Sequence, residues 1–184
     1  MDKHEVPREV DPQEIIVRTV KSPNHVDSKG KLRDNLFMPS ANYKEISVLR
    51  LPYTTPNFCK KHSYKILNQV KGESFHGLGI LYAETIRSIG NRIEMPNAAD
   101  VLGTPMGEDG KYIDENIPVY TTDPSNPAHA DIIFNCPPPE PGVPSNPIKR
   151  IAREIWRNSQ IRIDTNTTDI DVWTGEELVI KAKE

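Results

Sequence analysis

The chain has 184 residues, 36% of them hydrophobic and 27% charged, a composition that fits one folded domain with a single core. A formal net charge of −3 argues against a protein that binds nucleic acid through overall positive charge. The first residues are charged, and no apolar run approaches the ~20 residues of a membrane span. We therefore expect a cytoplasmic protein with no membrane partner.

The first half of the chain mixes strand and helix patterns. Residues 1–13 are charged and predict a flexible arm, and the β-branched run at residues 14–20 predicts a strand. Residues 46–51 alternate between polar and apolar side chains and predict a second strand. The dipeptide Thr55-Pro56 is typical of a helix start, and we expect this helix to run to about residue 70.

The second half adds one strand, short helices and long loops. Residues 74–82 predict a strand, and residues 83–89 predict a short helix that Gly90 closes. Residues 95–116 show no clear period and predict a long connection. The proline-rich residues 136–144 predict an extended spacer.

The interspersed elements predict the fold class. Without a regular βαβ rhythm, they indicate an α+β fold with a mostly antiparallel or mixed sheet, two or three helices and long Pro-rich loops. We expect a single domain over residues 14–160. Residues 161–184 are expected to form a C-terminal extension or an added hairpin.

Residues 117–134 hold the most informative polar pattern of the chain. Two short apolar runs flank a turn-rich loop, and His129 and Asp131 stand two apart at the start of the second run. Alternate residues of a strand point to the same face, so the imidazole and the carboxylate are expected side by side. They form either part of a site or the polar face of an ordinary strand.

Three polar residues occur in a suggestive order on predicted strands, namely Arg18, Ser47 and Asp131. This order is similar to one class of ADP-ribosyltransferases, in which the arginine steadies the NAD phosphates and the serine braces the nicotinamide pocket. The acid of that class supports an oxocarbenium-like transition state. The resemblance implies Arg18, Ser47 and Asp131 as catalytic residues with NAD as cofactor, and His129 joins them as a neighbour of Asp131. Here Asp131 replaces the usual glutamate, and the serine motif is incomplete.

Basic side chains recur along a predicted amphipathic helix at residues 147–157. Lys149, Arg153 and Arg157 are spaced four apart, with Arg150 alongside, opposite the apolar face. Such a stripe can bind phosphates, and it is also the ordinary solvated face of a helix. Because the overall charge is negative, nucleic-acid binding is the less favoured alternative.

The cysteines and histidines give little support to a metal or thiol site. Cys59 and His62 are three apart on a predicted helix, but no second pair has a zinc-ligand spacing. A cysteine near a helix start can have a lowered thiol pKa, although burial as a small side chain is its more ordinary role. We expect no metal, and no cofactor unless the NAD-dependent alternative holds.

Several segments resemble a group of short, uncharacterised prokaryotic proteins, and together they span about residues 14–134. The segments are residues 17–20, His25, residues 30–32, Phe37, residues 46–48 and residues 126–132. The most specific of them is Asn-Pro-Ala-His-Ala at residues 126–130. Because that group has no established activity, the resemblance implies no catalytic residue.

We therefore expect a non-enzymatic binding or complex-forming component of a bacterial multi-gene module, with a protein partner or a second copy of the chain. The alternative is a small enzyme with a polar cleft. Its expected lining is Arg18, His25, Ser47, His76, His129 and Asp131. An enzyme would gather these side chains around one pocket, whereas a binding module would scatter them.

Overall fold

The computed structural model describes residues 3–40, 44–67, 71–136, 145–166 and 168–182. Over these residues the chain forms one six-stranded sheet with three α-helices, and every strand pairing is antiparallel. The predicted α+β class is therefore confirmed. The strands are β1 (Ile15–Ser22), β2 (Glu45–Arg50), β3 (Ser74–Tyr82), β4 (Ala99–Gly103), β5 (His129–Phe134) and β6 (Gln160–Ile163). The helices are α1 (Pro56–Leu67), α2 (Ala83–Ile93) and α3 (Asn146–Asn158).

The sheet has the order β4-β5-β2-β1-β3-β6 and carries a core on each face. Helices α2 and α3 cover one face, where the larger core includes Ile16 and Ile132. Helix α1 covers the other face, where Val17 and Leu49 pack with Cys59. The two cores follow from the alternation of side chains along β1, which sends Ile16 and Val17 to opposite faces.

The centre of the sheet is only partly paired. β1 pairs with β3 along its whole length, and β2 pairs with β5 from Glu45 to Leu49. In contrast, β1 and β2 are in register only at Ile16 opposite Arg50 and at Val17 opposite Leu49. Beyond Val17 the two central strands diverge, so a gap opens inside the sheet.

Residues 3–13, the described part of the predicted arm, lie against the sheet. Val6 and Val10 are buried, and the backbone N–H of Val6 donates to Val119 O at 2.8 Å. The guanidinium of Arg50 holds this segment, because it pairs with the Glu14 carboxylate at 2.7 Å and also donates to the backbone oxygens of residues 7 and 9.

The C-terminal residues are held by a buried lysine of α1. The ammonium of Lys60 lies 2.6 Å from Asp164 Oδ2 and donates to the backbone oxygens of Asn166 and Val172 at 2.7 Å each. The strand β6, which pairs with β3, leads into this segment. The described part of residues 168–182 contains no strand.

Two elements differ from the sequence prediction, and two predicted features lie outside the described residues. Helix α2 continues through Gly90 to Ile93, because this glycine lets the helix pack closely on Ala99. The strand β4 lies within the predicted connection at residues 95–116. Apart from Cys136, the predicted spacer at residues 136–144 lies outside the described residues, as does the predicted helix end at residues 68–70. In the described ranges no helix is long and apolar enough to cross a membrane.

Candidate functional site

The gap between the two central strands opens into a cleft of about 520 Å³, which we call the β1–β2 cleft. Its polar lining consists of Arg18, Lys21, Asn24, His25, Asn35, Ser40, Glu45 and Ser47. The volume lies in the range of small-molecule sites. The cleft exists because β1 and β2 each keep their outer partner strand while they separate from each other.

Arg18 spans the gap at the base of the cleft. Its Nη1 donates to the backbone oxygen of Ser47 at 2.5 Å, and its Nε donates to the backbone oxygen of Leu36 at 3.5 Å. Burial lowers the pKa of Arg18 to about 10, and the negative charge of Asp131 offsets only part of this effect. Among the described residues no carboxylate lies within ion-pair distance of this guanidinium, and its Nη2 makes no hydrogen bond.

The other charged groups at the cleft add no net positive charge to that of Arg18. Lys21 is paired with Glu73 at 2.7 Å, so its charge is already compensated. Glu45 adds a negative charge to the cleft wall. Arg18 is therefore the cation of the lining whose charge is least compensated.

His25 covers the free edge of β1 where β2 has separated from it. Its Nδ1 accepts a hydrogen bond from the backbone N–H of Lys21 at 3.3 Å, and the ring also bonds to the Thr19 backbone. Burial and the nearby charges of Arg18 and Lys21 lower the pKa of His25 to about 3. The imidazole is therefore neutral near pH 7. Its hydrogen bonds to the β1 backbone take the place of those that a paired strand would make.

A second cavity of about 90 Å³ adjoins the cleft on the α1 side of the sheet, and we call it the inner pocket. Arg18, Lys21, His25 and Ser47 line both cavities. The rest of the inner pocket is formed by Val17, Thr19, Val48, Leu49, His62, Ile66, Leu67 and His129. The inner pocket is thus mainly apolar beyond the four shared residues.

A hydrogen-bond network fixes the orientation of His129. Thr104 Oγ1 donates to Asp131 Oδ2 at 2.6 Å, so this hydroxyl cannot also donate to the imidazole. His129 Nδ1 lies 2.8 Å from Thr104 O and 3.0 Å from Thr104 Oγ1, and it must be the donor in these contacts. Both contacts use Nδ1, so Nε2 takes no part in the bonds to Thr104.

Asp131 is almost fully buried and lies at the centre of that network. Its Oδ2 also accepts a hydrogen bond from the Tyr112 hydroxyl at 3.2 Å, whereas its Oδ1 has no hydrogen-bond partner in the described part of the chain. Burial and the negative charges of Asp131 and Glu45 raise the pKa of Tyr112. The tyrosine hydroxyl therefore stays protonated and acts as a donor.

The structure brings most of the expected polar residues together. Arg18, His25 and Ser47 line both cavities, and His129 lines the inner pocket. Asp131 lies opposite Ser47 in the β2–β5 register but lines neither cavity. His76, on β3, likewise lines neither of them.

Sequence analysis did not identify three residues of this region: Lys21, Thr104 and Tyr112. Thr104 and Tyr112 follow β4 in a segment without periodicity, so no local pattern marks them. His62 was considered only together with Cys59, as part of a metal or thiol site. Its pKa is lowered to about 4 by burial and by the positive charges of His129 and Lys65.

The basic stripe lies on α3, far along the chain from the cleft residues. Arg150, Arg153 and Arg157 are exposed, and Lys149 is half-buried. Arg153 pairs with Asp34 at 3.0 Å, and Arg157 pairs with Glu154. Two of the four positive charges are thus partly compensated by neighbouring acids.

The cysteine chemistry considered above has little basis in the geometry. Cys59 is buried, and burial raises the pKa of its thiol to about 12, which disfavours the reactive thiolate. Within the described ranges no three His, Cys, Asp or Glu side chains are grouped so that they could hold a metal ion.

The chain was compared with known proteins in three ways. No protein-family model matches it, and neither the curated proteins nor the solved structures contain a match. The resemblance to short prokaryotic proteins therefore stays a prediction.

Proposed function

We propose that the protein is a binding component that holds a small anionic molecule in the β1–β2 cleft. The observation that carries the proposal is the charge of Arg18. Its guanidinium is desolvated enough to lower the pKa to about 10, and among the described residues it has no carboxylate partner. Arg18 is half-buried, and because a partly desolvated charge without an ion-pair partner is costly, an anion beside it offsets part of that cost.

The lining of the cleft indicates the charge and the polarity of the ligand. Lys21 is paired with Glu73, so Arg18 is the one cation of the described lining without an ion-pair partner, and Glu45 brings the summed charge of these four groups to zero. This balance favours a monoanion over a dianion. Asn35 Oδ1 is buried and has no hydrogen-bond partner among the described residues, so it offers an acceptor to a ligand N–H or O–H.

Thermal unfolding in the presence of defined anions tests the proposal. Acetate, citrate, inorganic phosphate and NAD are compared with sodium chloride at equal ionic strength. A ligand at about 100 times its Kd stabilises the folded state by ~2.7 kcal/mol, which gives a clear rise in Tm. We expect at least one anion to raise the Tm of the wild type but not of Arg18→Gln.

The matched control is Arg153→Gln, which removes the same charge from an exposed position on α3. This variant should keep the full Tm shift. Equal shifts in the wild type and Arg18→Gln would show that the anion acts elsewhere. No shift with any anion would also contradict the proposal.

A small NAD-dependent transferase is the second candidate, and the positions of three residues favour it. Arg18 contacts Ser47, and Ser47 lies opposite Asp131 on the adjacent strand. In this alternative NAD binds near Arg18, His129 meets it from the inner pocket, and Asp131, which lines neither cavity, acts through its neighbours Ser47 and His129. A Tm shift with NAD that is lost in Asp131→Asn, together with release of nicotinamide, would support it. The absence of both would contradict it.

Other functional expectations stay predictions. A protein partner or a second copy of the chain, nucleic-acid binding through α3 and a cytoplasmic location each need their own experiment. For nucleic acid, that experiment is binding that weakens steeply with salt and is lost when Lys149, Arg153 and Arg157 are replaced by alanine.

A further inference from the structure

The inner pocket lies directly behind the proposed anion site. Arg18 and Ser47 line both this pocket and the outer cleft, and the hydrogen bond between them crosses the gap in the sheet. A ligand whose anionic group binds Arg18 therefore has room on both sides. Its outer part meets the polar lining of the β1–β2 cleft, and its inner part meets the wall provided by α1.

Beyond the shared residues the wall of the inner pocket is mainly apolar, with Thr19, His62 and His129 as its polar members. Leu49 and Leu67 are core residues, and Ile66 adds a second α1 side chain to this wall. The pKa of His62 is lowered to about 4, so its ring is neutral near pH 7. A charged group is unfavourable in such surroundings, whereas an aliphatic group is favourable.

The volume of the inner pocket limits the size of this group. The pocket measures about 90 Å³. A cavity of about 150 Å³ holds a benzene ring, so by proportion this pocket holds roughly three or four non-hydrogen atoms. An aromatic ring or a long acyl chain exceeds this space.

We infer that the ligand is an organic carboxylate with a short aliphatic branch of about three carbons, which passes between β1 and β2 into the inner pocket. This inference rests on the proposed function and specifies the chemical class of its ligand. The carboxylate binds Arg18, and the branch contacts Leu49, Ile66 and Leu67. The branch length is the feature that selects among small organic acids.

A series of straight-chain carboxylates tests this inference directly. Acetate, propionate, butyrate and hexanoate are titrated into the protein by calorimetry, with inorganic phosphate as the reference anion without a branch. We expect binding to tighten about fourfold for each added methylene up to butyrate. Hexanoate should bind no better than butyrate, because its chain exceeds the volume of the pocket.

Substitutions at Ile66 provide the sharper test. This side chain lines the inner pocket and is 41% exposed, so it can be changed without removing a core residue. Ile66→Ala enlarges the pocket and should move the preference toward hexanoate. Ile66→Phe reduces the pocket and should move the preference toward acetate. The control is Lys61→Ala, an exposed position on the same helix, which should leave the order of affinities unchanged.

The outcomes separate this inference from the proposed function. Carboxylates that bind through Arg18 with affinities independent of chain length would overturn the inference and leave the proposed function intact. The same conclusion follows if inorganic phosphate binds and no carboxylate does. If no anion binds the wild type, both the inference and the proposed function fail.

Discussion

Arg18 on β1 is joined to Ser47 on β2 by one hydrogen bond of 2.5 Å, at the point where the two strands have already stopped pairing. A side chain thus spans a gap that backbone pairing would normally close. The bond leaves part of the guanidinium directed to a cleft of about 520 Å³. The same separation of strands therefore creates the cavity and places a poorly compensated cation in its lining.

The stability effect of removing Arg18 is the first prediction. Arg18 has no ion-pair partner in the described ranges, whereas the buried Arg50 is paired with Glu14 at 2.7 Å through two hydrogen bonds. We expect the free energy of unfolding of Arg18→Met to lie no more than about 1 kcal/mol below that of the wild type, or to exceed it. Arg50→Met should lose ~3–5 kcal/mol, because Glu14 is left buried without its partner.

Urea unfolding monitored by circular dichroism measures both variants of this pair. If both variants lost the same free energy of unfolding, Arg18 would be a residue that stabilises the fold. That result would argue against an anion site at Arg18.

The pH dependence of stability is the second prediction, and it concerns His25. Burial and the charges of Arg18 and Lys21 lower the pKa of the folded state to about 3, against about 6.5 for an unfolded histidine. Between these values the unfolded chain binds more protons, so stability is full above the unfolded pKa and falls as the pH falls. His62, with a pKa of about 4, contributes in the same direction.

We expect the free energy of unfolding to fall by up to about 1.4 kcal/mol per pH unit for His25 as the pH is lowered below about 6.5. In His25→Asn this slope should be smaller, although the variant is less stable at pH 7 because it loses the ring contacts to β1. Exposed His4 offers the control, since His4→Asn should keep the wild-type slope. An unchanged slope in His25→Asn would contradict the assignment.

The elements that local patterns specify were predicted from the sequence. The β-branched run gave β1, the alternation gave β2, and Thr55-Pro56 marked the start of α1. Strand alternation also placed His129 and Asp131 on one face, where they share a network through Thr104. These features depend on neighbouring residues, so a single sequence contains the information.

The cleft itself could not be predicted, because it depends on long-range pairing. β1 pairs with β3 along its whole length but pairs with β2 only as far as Val17. The sequence of β1 contains no local pattern that indicates where this pairing ends. Thr104 and Tyr112 were missed for a similar reason, since a loop without periodicity carries them to Asp131. Residues close in space but far apart in the chain leave no local pattern.

Gly90 shows how tertiary packing can reverse a local signal, and it gives the third prediction. Within a helix, replacing glycine by alanine normally stabilises by up to ~1 kcal/mol. Here an added Cβ would lie 2.5 Å from Ala99 N and 2.9 Å from Ala99 Cβ. Because the backbone of β4 cannot move freely, we expect Gly90→Ala to destabilise the protein by ~1–3 kcal/mol.

Thermal unfolding of Gly90→Ala is compared with that of Ser88→Ala, an exposed position on the same helix that should change stability by less than ~0.5 kcal/mol. A stabilised Gly90→Ala variant would show that α2 does not pack on β4 as closely as the structure indicates.

The last prediction concerns two adjacent lysines of α1 that form ion pairs in opposite surroundings. Lys60 is fully buried and lies 2.6 Å from Asp164, whereas Lys61 is exposed and lies 2.9 Å from Asp171. Lys60→Met should lose ~3–5 kcal/mol, because it leaves Asp164 buried without its cation. Lys61→Met should lose less than ~1 kcal/mol, because an exposed pair is screened by solvent.

A double variant separates the effect of the lone charge from that of packing. Lys60→Met with Asp164→Leu removes both charges, and we expect it to recover part of the stability lost in Lys60→Met. Urea unfolding gives the free energies, and limited proteolysis reports whether residues 168–182 have been released, since Lys60 also bonds the backbone of Asn166 and Val172. Equal losses for Lys60→Met and Lys61→Met would mean that the buried ammonium does not hold the C-terminal segment in place.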